Sequence, residues 1–471
     1  MKKVLFAILF YAVPFLSQTK TSTPEKIDSL FAHPFFDTCL VAADIYNLST
    51  QKQVYAKNTK LLLHPASNTK LFTSITALLQ LPDSFCYETR LGLTGLVRDS
   101  VLDGDLIVKG GADPDFKTND LDVFVEALRA KGINKVRGNL IGDVGLMDST
   151  FWGKGWMWDD DPSSDAPYLT PLSINDNCIL VQAVHDTLND TLMIRTVPET
   201  SFISLTNNSV FDTISPNGFI ISRAYLNRSN DIVISGNYGK GERASSYVNL
   251  FNPALYFLQL FKEKLTAAGI EVTGKNLLSD NSAFSDQVIV FRRPLMEVLI
   301  NLNKISDNLS AELTLINIAR QTGERGLNAD SGLQFINKVI SLIGYDPANY
   351  RIVDGSGVSH YNLVSAELIN GLLKYLYFNH QQKYQQLLTT LPIGGVDGTL
   401  RRRMRGTNAS NNVYAKTGTH SGVSCLSGYV TDKNGELYSF SLMMQNYHSK
   451  VEVARAYQDE VCNIIASWGS E

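Results

Sequence analysis

The chain is organised around one short stretch, which reads His64-Pro65-Ala66-Ser67-Asn68-Thr69-Lys70-Leu71-Phe72. Apolar residues continue from it at helical spacing, at Leu71, Ile75, Leu78 and Leu79. This spacing predicts a buried amphipathic helix that Ser67 opens. Residues three apart share a face of an α-helix, so the Lys70 ammonium can reach the Ser67 hydroxyl. A serine held against a lysine is one way to form a nucleophile.

The Ser-x-x-Lys pattern is weak by itself, because it also occurs at Ser17-Gln18-Thr19-Lys20. Taken in isolation, Ser67 is more simply interpreted as a helix N-cap and Lys70 as a solvated lysine of the first turn. Two downstream motifs, Ser306-Asp307-Asn308 and Lys416-Thr417-Gly418, change this interpretation. Ser279-Asp280-Asn281 repeats the second motif, but it lies in a polar run between strands, whereas Ser306 lies between two apolar helical patterns.

Length and composition indicate a soluble globular protein with more than one lobe. The chain has 471 residues, of which 44% are hydrophobic and 19% charged, so it is too long for one ordinary domain. The net charge is only -4, with no basic stripe. Nucleic acid and anionic membrane surfaces are therefore not predicted as partners.

The first 18 residues are typical of a secretory signal peptide. Met1-Lys2-Lys3 precedes an apolar run over residues 4–16, which is too short to span a bilayer comfortably. We expect a periplasmic protein with no transmembrane anchor after signal removal. The five cysteines are odd in number and form no Cys-x-x-Cys pair, so neither a zinc site nor a disulfide framework is predicted.

The sequence pattern changes twice along the chain. A hairpin pattern over residues 40–57 leads into the Ser67 helix, and residues 90–290 follow with strands and turns that predict a mixed lobe and a β-rich lobe. Helical periodicity resumes near Pro294, and two strands joined by Asn434-Gly435 precede a last helix. We predict an α+β protein with a catalytic domain in two parts, residues 19–89 and 291–471, split by inserted lobes.

In their order, the three motifs resemble the signature of the serine penicillin-recognising enzymes. The resemblance narrows to the D-alanyl-D-alanine carboxypeptidase/endopeptidases of the class C low-molecular-weight penicillin-binding proteins. It rests on the long insert and on Pro65-Ala66-Ser67-Asn68-Thr69-Lys70, Asp354-Gly355-Ser356-Gly357, Gly395-Val396-Asp397-Gly398-Thr399-Leu400 and Ala415-Lys416-Thr417-Gly418-Thr419. It implies helices around an antiparallel sheet, as in β-lactamases and transpeptidases, with peptidoglycan stem peptides as substrate, β-lactams as covalent inhibitors, and no cofactor or metal.

The resemblance also implies how acylation proceeds. Ser67 attacks the carbonyl between two D-alanines and forms an acyl-enzyme that water releases. Lys70 must be neutral to take the serine proton, so its pKa has to fall from about 10.4 toward about 7. Burial, the positive end of the helix and the charge of Lys416 are expected to lower it. Ser306 is placed to pass a proton to the leaving amine.

Substrate-binding residues follow from the same resemblance. Asn308 is expected to hold Lys70 and the substrate amide. The terminal carboxylate is assigned to the strand residues Lys416, Thr417, Gly418 and Thr419, where glycine permits close approach of a substrate backbone. The oxyanion hole is assigned to the backbone N–H groups of Ser67 and Thr419.

Several residues keep two interpretations. Asp160, in Trp156-Met157-Trp158-Asp159-Asp160, is expected to recognise a free amine on the diamino acid of the stem peptide. Asp159 is a weaker candidate for that role. The alternative interpretation is that both residues belong to a solvated acidic loop. Ser356 and Asp397 are interpreted as structural, since Asp-Gly is a turn signal. His420 is open to a general-base role.

Two other functions remain as alternatives. Class A β-lactamases share the three motifs and carry a Glu-x-x-Leu-Asn loop, which Glu324-Arg325-Gly326-Leu327-Asn328 spells. That run follows Ser306 too closely, and we interpret it as chance. The second alternative is a non-catalytic muropeptide or β-lactam sensor on the same fold.

Overall fold

The computed structural model describes residues 22–469; the predicted signal peptide, residues 1–18, lies outside them. The α-helices in this range are α1 (Thr23–Phe31), α2 (Thr69–Gln80), α3 (Leu121–Ala130), α4 (Pro253–Ala267), α5 (Leu295–Lys304), α6 (Asn308–Arg320), α7 (Ala329–Leu342), α8 (Ala366–Asn379), α9 (Gln381–Thr390) and α10 (Val451–Ala466).

The strands of the same range include β1 (Leu40–Asn47), β2 (Lys52–Lys57), β3 (Cys86–Leu93), β4 (Leu96–Arg98), β5 (Val101–Asp103), β6 (Leu106–Lys109), β7 (Lys135–Val136), β8 (Leu140–Asp143), β9 (Cys178–Asp186), β10 (Thr191–Val197) and β11 (Ser204–Asn207). They continue with β12 (Val210–Phe211), β13 (Ile220–Arg223), β14 (Asp231–Ser235), β15 (Asn237–Tyr238), β16 (Arg243–Asn249), β17 (Glu271–Val272), β18 (Asn276–Ser279), β19 (Asp286–Pro294), β20 (Tyr414–His420), β21 (Val423–Thr431) and β22 (Leu437–Gln445).

A five-stranded antiparallel sheet, in the order β2-β1-β22-β21-β20, lies in the part of the fold formed by the residues before β3 and after β19. Helices cover both of its faces, so β21 and β22 are buried along almost their whole length. Alternate strand residues point to opposite faces: Ala42 and Met443 join the core beneath α2, α5, α6 and α8, whereas Ala43 and Leu442 join the core beneath α1 and α10. The predicted α+β fold class is confirmed.

Residues between β3 and β19 build a second core of their own. Two small sheets, β18-β8-β6-β3-β19 and β17-β7-β5-β4, mix parallel and antiparallel pairs and pack with α3 and α4. Three further sheets, β10-β9-β16, β11-β14-β13 and β12-β15, form a β-rich portion. The predicted borders of the insert, at residues 90 and 290, fall inside β3 and β19, which pair with each other.

Two features of residues 22–469 concern membrane anchoring and the cysteines. No helix between residues 22 and 469 is both long and apolar enough to cross a membrane. The five cysteines are unpaired, and Cys178, Cys425 and Cys462 are buried.

Candidate active site

Ser67 lies at the end of α2 that faces solvent, in a short 3-10 turn over Ala66–Asn68. The α-helix itself begins at Thr69, two residues later than the sequence predicts. The tighter turn still aligns residues three apart, and the Lys70 Nζ lies 3.0 Å from the Ser67 Oγ. The predicted serine and lysine are therefore in direct contact.

Lys70 is fully buried and donates two further hydrogen bonds. Its Nζ lies 2.5 Å from the Asn308 Oδ1 and 2.7 Å from the Ser356 carbonyl oxygen. Burial lowers the pKa of Lys70 to about 8, against the opposing charges of Asp307, Asp354, Glu312 and Asp165. The ammonium therefore holds its proton more weakly than an exposed lysine does.

Ser306 and Asn308 come from the junction between α5 and α6. Ser306 has a positive φ of 66°, and the Asp307 side chain caps α6 by accepting from the Ser310 N–H at 2.5 Å. This sharp reversal places the Ser306 Oγ 2.8 Å from the Lys416 Nζ. Asn308 bridges two elements, since its Nδ2 donates to the Asp165 carbonyl at 2.5 Å.

Strand β20 forms one wall of the site. Gly418 packs so closely on the 3-10 turn that an added Cβ would lie 2.6 Å from the Pro65 carbonyl oxygen. Thr417 and Thr419 face the cavity. Lys416 is fully buried behind them, and burial together with the nearby Lys70 lowers its pKa well below the ordinary value. Lys416 is not itself part of the cavity lining, and its Nζ contacts the lining residue Ser306.

These segments surround a cavity of about 380 Å³. Ser67, Ser306, Asn308 and Thr417 to Thr419 line it, as does Asp160. The Asp160 carboxylate also accepts from the Met157 N–H at 2.7 Å, which closes its own short turn. Residues from the three motifs, which lie far apart in the sequence, therefore line one cavity of substrate size.

The cavity has further lining residues that the sequence did not single out. Asp165 and Arg455 lie at its edge, and Arg455 donates to the Thr419 Oγ1 at 3.2 Å. No motif marks either residue, because Asp165 lies in an irregular loop and Arg455 belongs to the last helix.

His420 ends β20 and stacks on His360, with ring centroids 4.6 Å apart. Its Nε2 lies 2.8 Å from the Gly357 carbonyl oxygen. Because a carbonyl only accepts, Nε2 carries the hydrogen of this bond and is not a free base. Burial lowers the pKa of His420, so the ring favours its neutral form.

Other sequence candidates lie outside the cavity lining. Asp397 pairs with Lys304 at 2.6 Å and caps the Ile393 N–H at 2.9 Å, and the Ser356 side chain is buried. Glu324 is exposed in the loop after α6, and Ser279 ends an edge strand of the insert. Among residues 22–469, no cluster of three or more His, Cys, Asp or Glu side chains is arranged to hold a metal ion.

A serine hydroxyl against a buried lysine, at the base of an open cavity, is the arrangement of a serine acyl hydrolase. The chain belongs to the D-Ala-D-Ala carboxypeptidase 3 (S13) family, whose model matches residues 23–467. The family predicted from the motifs and the enzyme class, a serine-type D-Ala-D-Ala carboxypeptidase, are thereby confirmed.

Individual proteins with this activity in their names are similar to the chain over most of their length. The chain is 29% identical to a D-alanyl-D-alanine carboxypeptidase of Actinomadura sp. (strain R39), over 91% of this chain and 82% of the relative. It is 28% identical to D-alanyl-D-alanine carboxypeptidase DacB of Haemophilus influenzae, over 84% of each. The crystal structure of penicillin-binding protein 4 (dacB) from Haemophilus influenzae superimposes with a TM-score of 0.81 at 25% identity, covering 92% of this chain and 97% of that one.

Proposed function

We propose that Ser67 is the nucleophile that cleaves the D-Ala-D-Ala bond of peptidoglycan stem peptides. The observation that carries the proposal is the 3.0 Å contact between the Lys70 Nζ and the Ser67 Oγ at the base of the cavity. Neutral Lys70 takes the hydroxyl proton while the Oγ–carbon bond forms. The backbone N–H groups of Ser67 and Thr419 receive the developing oxyanion.

Breaking the carbon–nitrogen bond requires a proton on the leaving amine. Ser306 is suited to deliver it, because its hydroxyl lies 2.8 Å from the Lys416 Nζ and lines the same cavity as Ser67. Asn308 orients Lys70 through their 2.5 Å hydrogen bond. Water then attacks the acyl-enzyme and releases the shortened peptide.

The carboxylate end of the substrate fits the β20 side of the cavity. Thr417 and Thr419 offer hydroxyl groups there, and Arg455 brings an exposed guanidinium next to Thr419. Gly418 allows a peptide to lie close to the strand. Lys416 lies behind Ser306 and donates a hydrogen bond to its hydroxyl.

Two acidic residues, Asp160 and Asp165, also line the cavity. These negative charges suit a free amine on the diamino acid of the stem peptide. We assign recognition of this amine to Asp160. Replacing Asp160 with alanine should reduce the preference for amine-bearing over acylated stem peptides, and an unchanged preference would contradict the assignment.

We further propose that the protein acts in the periplasm after removal of residues 1–18, with a catalytic domain divided by the inserted lobes. β-Lactams are expected to acylate Ser67 as substrate mimics. The Haemophilus penicillin-binding protein 4 has also been solved in complex with a β-lactam, which supports this expectation.

Release of D-alanine from a pentapeptide stem tests the proposal directly. We expect release by the wild type and none by Ser67→Ala, with fluorescent penicillin labelling only the wild type. Penicillin labelling without D-alanine release or cross-link cleavage would favour the sensor. Sustained nitrocefin hydrolysis, rather than a single stoichiometric acylation, would favour the β-lactamase. Fragments of digested peptidoglycan would reveal whether carboxypeptidase or endopeptidase activity dominates.

A further inference from the structure

Glu312 is a buried carboxylate next to the site that the proposed chemistry does not use. It lies on α6, one turn after Asn308, and is only 3% exposed. Its two oxygens accept from the Gly355 N–H at 3.1 and 3.2 Å, and one of them also accepts from the Ser356 N–H at 2.8 Å. Burying a carboxylate away from water costs free energy unless neighbouring groups pair with it or donate hydrogen bonds to it.

The Ser356 peptide connects Glu312 to Lys70. Its N–H donates to the Glu312 carboxylate, and its carbonyl accepts from the Lys70 Nζ at 2.7 Å. The next carbonyl, of Gly357, accepts from His420. We call residues 354–357 the lysine-facing loop, because one side of it holds Lys70 and the other side is fastened to α6 by Glu312.

We propose that Glu312 is a positioning residue for Lys70. It fastens the lysine-facing loop to α6, so that the Ser356 carbonyl stays on the Lys70 Nζ, and its negative charge controls how tightly Lys70 holds its proton. The inference rests on the proposed role of Lys70 as the base that activates Ser67.

The electrostatic part of the inference involves every charged group that faces this pair. Asp307 and Asp165 approach Lys70 from two other segments, Asp354 comes from the lysine-facing loop, and all three raise the pKa of Lys70 together with Glu312. Lys416 on β20 also faces Lys70, and burial together with the charge of Lys70 lowers the pKa of Lys416. Burial, followed by the charge of Asp354, raises the pKa of Glu312 itself to about 7.

The sign of the effect follows from these charges. An ionised Glu312 favours the ammonium form of Lys70, so removing its charge lowers the pKa of Lys70. The neutral amine is the active form, and acylation should then persist to lower pH. A side chain that served only to fill space would change stability without moving the pH profile.

The test compares Glu312→Gln, Glu312→Asp and the exposed control Glu460→Gln on α10. The readout is the second-order rate of acylation by a fluorescent penicillin between about pH 5.5 and 9.5. For Glu312→Gln we expect the acid limb to move to lower pH above about pH 7, where Glu312 of the wild type is ionised, and to approach the wild-type profile below it. Its plateau should fall about tenfold, because a glutamine amide presents N–H groups to the N–H groups of the loop.

Glu312→Asp keeps the charge but shortens the reach to the loop, so its plateau should fall while its acid limb stays at the wild-type position. Glu460→Gln should match the wild type in both respects. A folded Glu312→Gln variant with an unmoved acid limb would overturn the proposal. If that variant does not fold, Glu312→Asp decides, and an unchanged plateau rate would overturn it.

The two proposals fail differently. If Lys70 and Ser67 do not form the catalytic pair, Ser67→Ala will still be acylated, or the wild-type rate will stay flat between about pH 6 and 8. If only the role of Glu312 is wrong, the wild type will be acylated normally and the pH profile of Glu312→Gln will coincide with it.

Discussion

The protonation of Lys70 is decided by two opposing influences. Burial of the whole side chain favours the neutral amine, whereas carboxylates from three segments favour the ammonium form, and the balance leaves the pKa at about 8. The sequence predicted the lowering by burial and by Lys416, but it did not reveal the carboxylates. At neutral pH most of the Lys70 population is therefore protonated and inactive as a base.

Acylation should consequently depend on pH in a defined direction. Only neutral Lys70 accepts the Ser67 proton, so the acylation rate should rise about tenfold per pH unit up to about pH 8 and then level off. The measurement is the second-order rate with a fluorescent penicillin across this range. A flat rate between about pH 6 and 8 would show that Lys70 is not the base whose proton is lost.

The close approach of Gly418 to the 3-10 turn leads to a second prediction. A Cβ at this position would lie 2.6 Å from the Pro65 carbonyl oxygen and 3.1 Å from the Asn68 N. Gly418→Ala should push β20 away from the 3-10 turn that carries Ser67, and acylation should fall by about tenfold or more. Stopped-flow acylation kinetics measure this loss. A variant acylated at the wild-type rate would mean that the strand and the turn can separate without cost.

Helix α6 links the site to the core. Its N-terminal residue Asn308 contacts Lys70, Glu312 fastens the lysine-facing loop one turn later, and the following turns are buried against α7 and α2. This explains why the helix is buried on nearly all sides rather than along one stripe. Any displacement of α6 therefore moves two contacts of Lys70 together, those with the Asn308 side chain and the Ser356 carbonyl.

Gly332 on α7 sets the distance between α7 and α6. A Cβ there would lie 2.3 Å from the Leu315 carbonyl oxygen and 2.5 Å from the Leu315 Cγ. Gly332→Ala should therefore lower the free energy of unfolding by about 1–3 kcal/mol, despite the better helix propensity of alanine. Urea unfolding measures the change.

The matched control for Gly332→Ala is Gln334→Ala, at an exposed position of the same helix. That substitution should change the free energy of unfolding by less than about 0.5 kcal/mol. Equal stability of Gly332→Ala and the wild type would contradict the close packing of α6 on α7.

Elements with strong local signals were predictable from the sequence. The helical periodicity that resumes near Pro294 is observed as α5 and α6, and the strands joined by Asn434-Gly435 are observed as β21 and β22. Positive φ at Ser306 carries no local signal, because glycine does not occupy the position. Glu312 and Arg455 were missed since each acts through a segment distant in sequence.

The lobes between β3 and β19 meet the rest of the fold through a group of acidic residues. Arg293 binds Asp113 at 3.1 Å and Asp120 at 2.7 Å, and the Asn301 side chain donates to Asp115 at 2.7 Å. Burial and the charges of Asp307 and Asp113 raise the pKa of Asp115 to about 7. The junction therefore becomes more strained electrostatically as the pH rises.

Asp115→Asn tests this strain. A carboxyl whose pKa is higher in the folded chain than its unfolded value of about 4 makes the folded state bind more protons, so stability falls as the pH rises between these values. The amide keeps the Oδ1 acceptor for Asn301 and removes the charge. We expect the variant to gain on the order of 1 kcal/mol over the wild type at pH 8 and clearly less near pH 5, since partial exposure and Lys117 screen the charge.

Thermal unfolding of both proteins at the two pH values measures the difference. The exposed residue Asp330, at the start of α7, provides the control Asp330→Asn, which should show the same small offset at both pH values. A stability gain for Asp115→Asn that is equal at pH 5 and pH 8, or a loss at pH 8, would mean that Asp115 is not a strained carboxylate in the folded protein. A gain that grows from pH 5 to pH 8 would locate the pH sensitivity of the fold at the junction between the lobes after β3 and the rest of the fold.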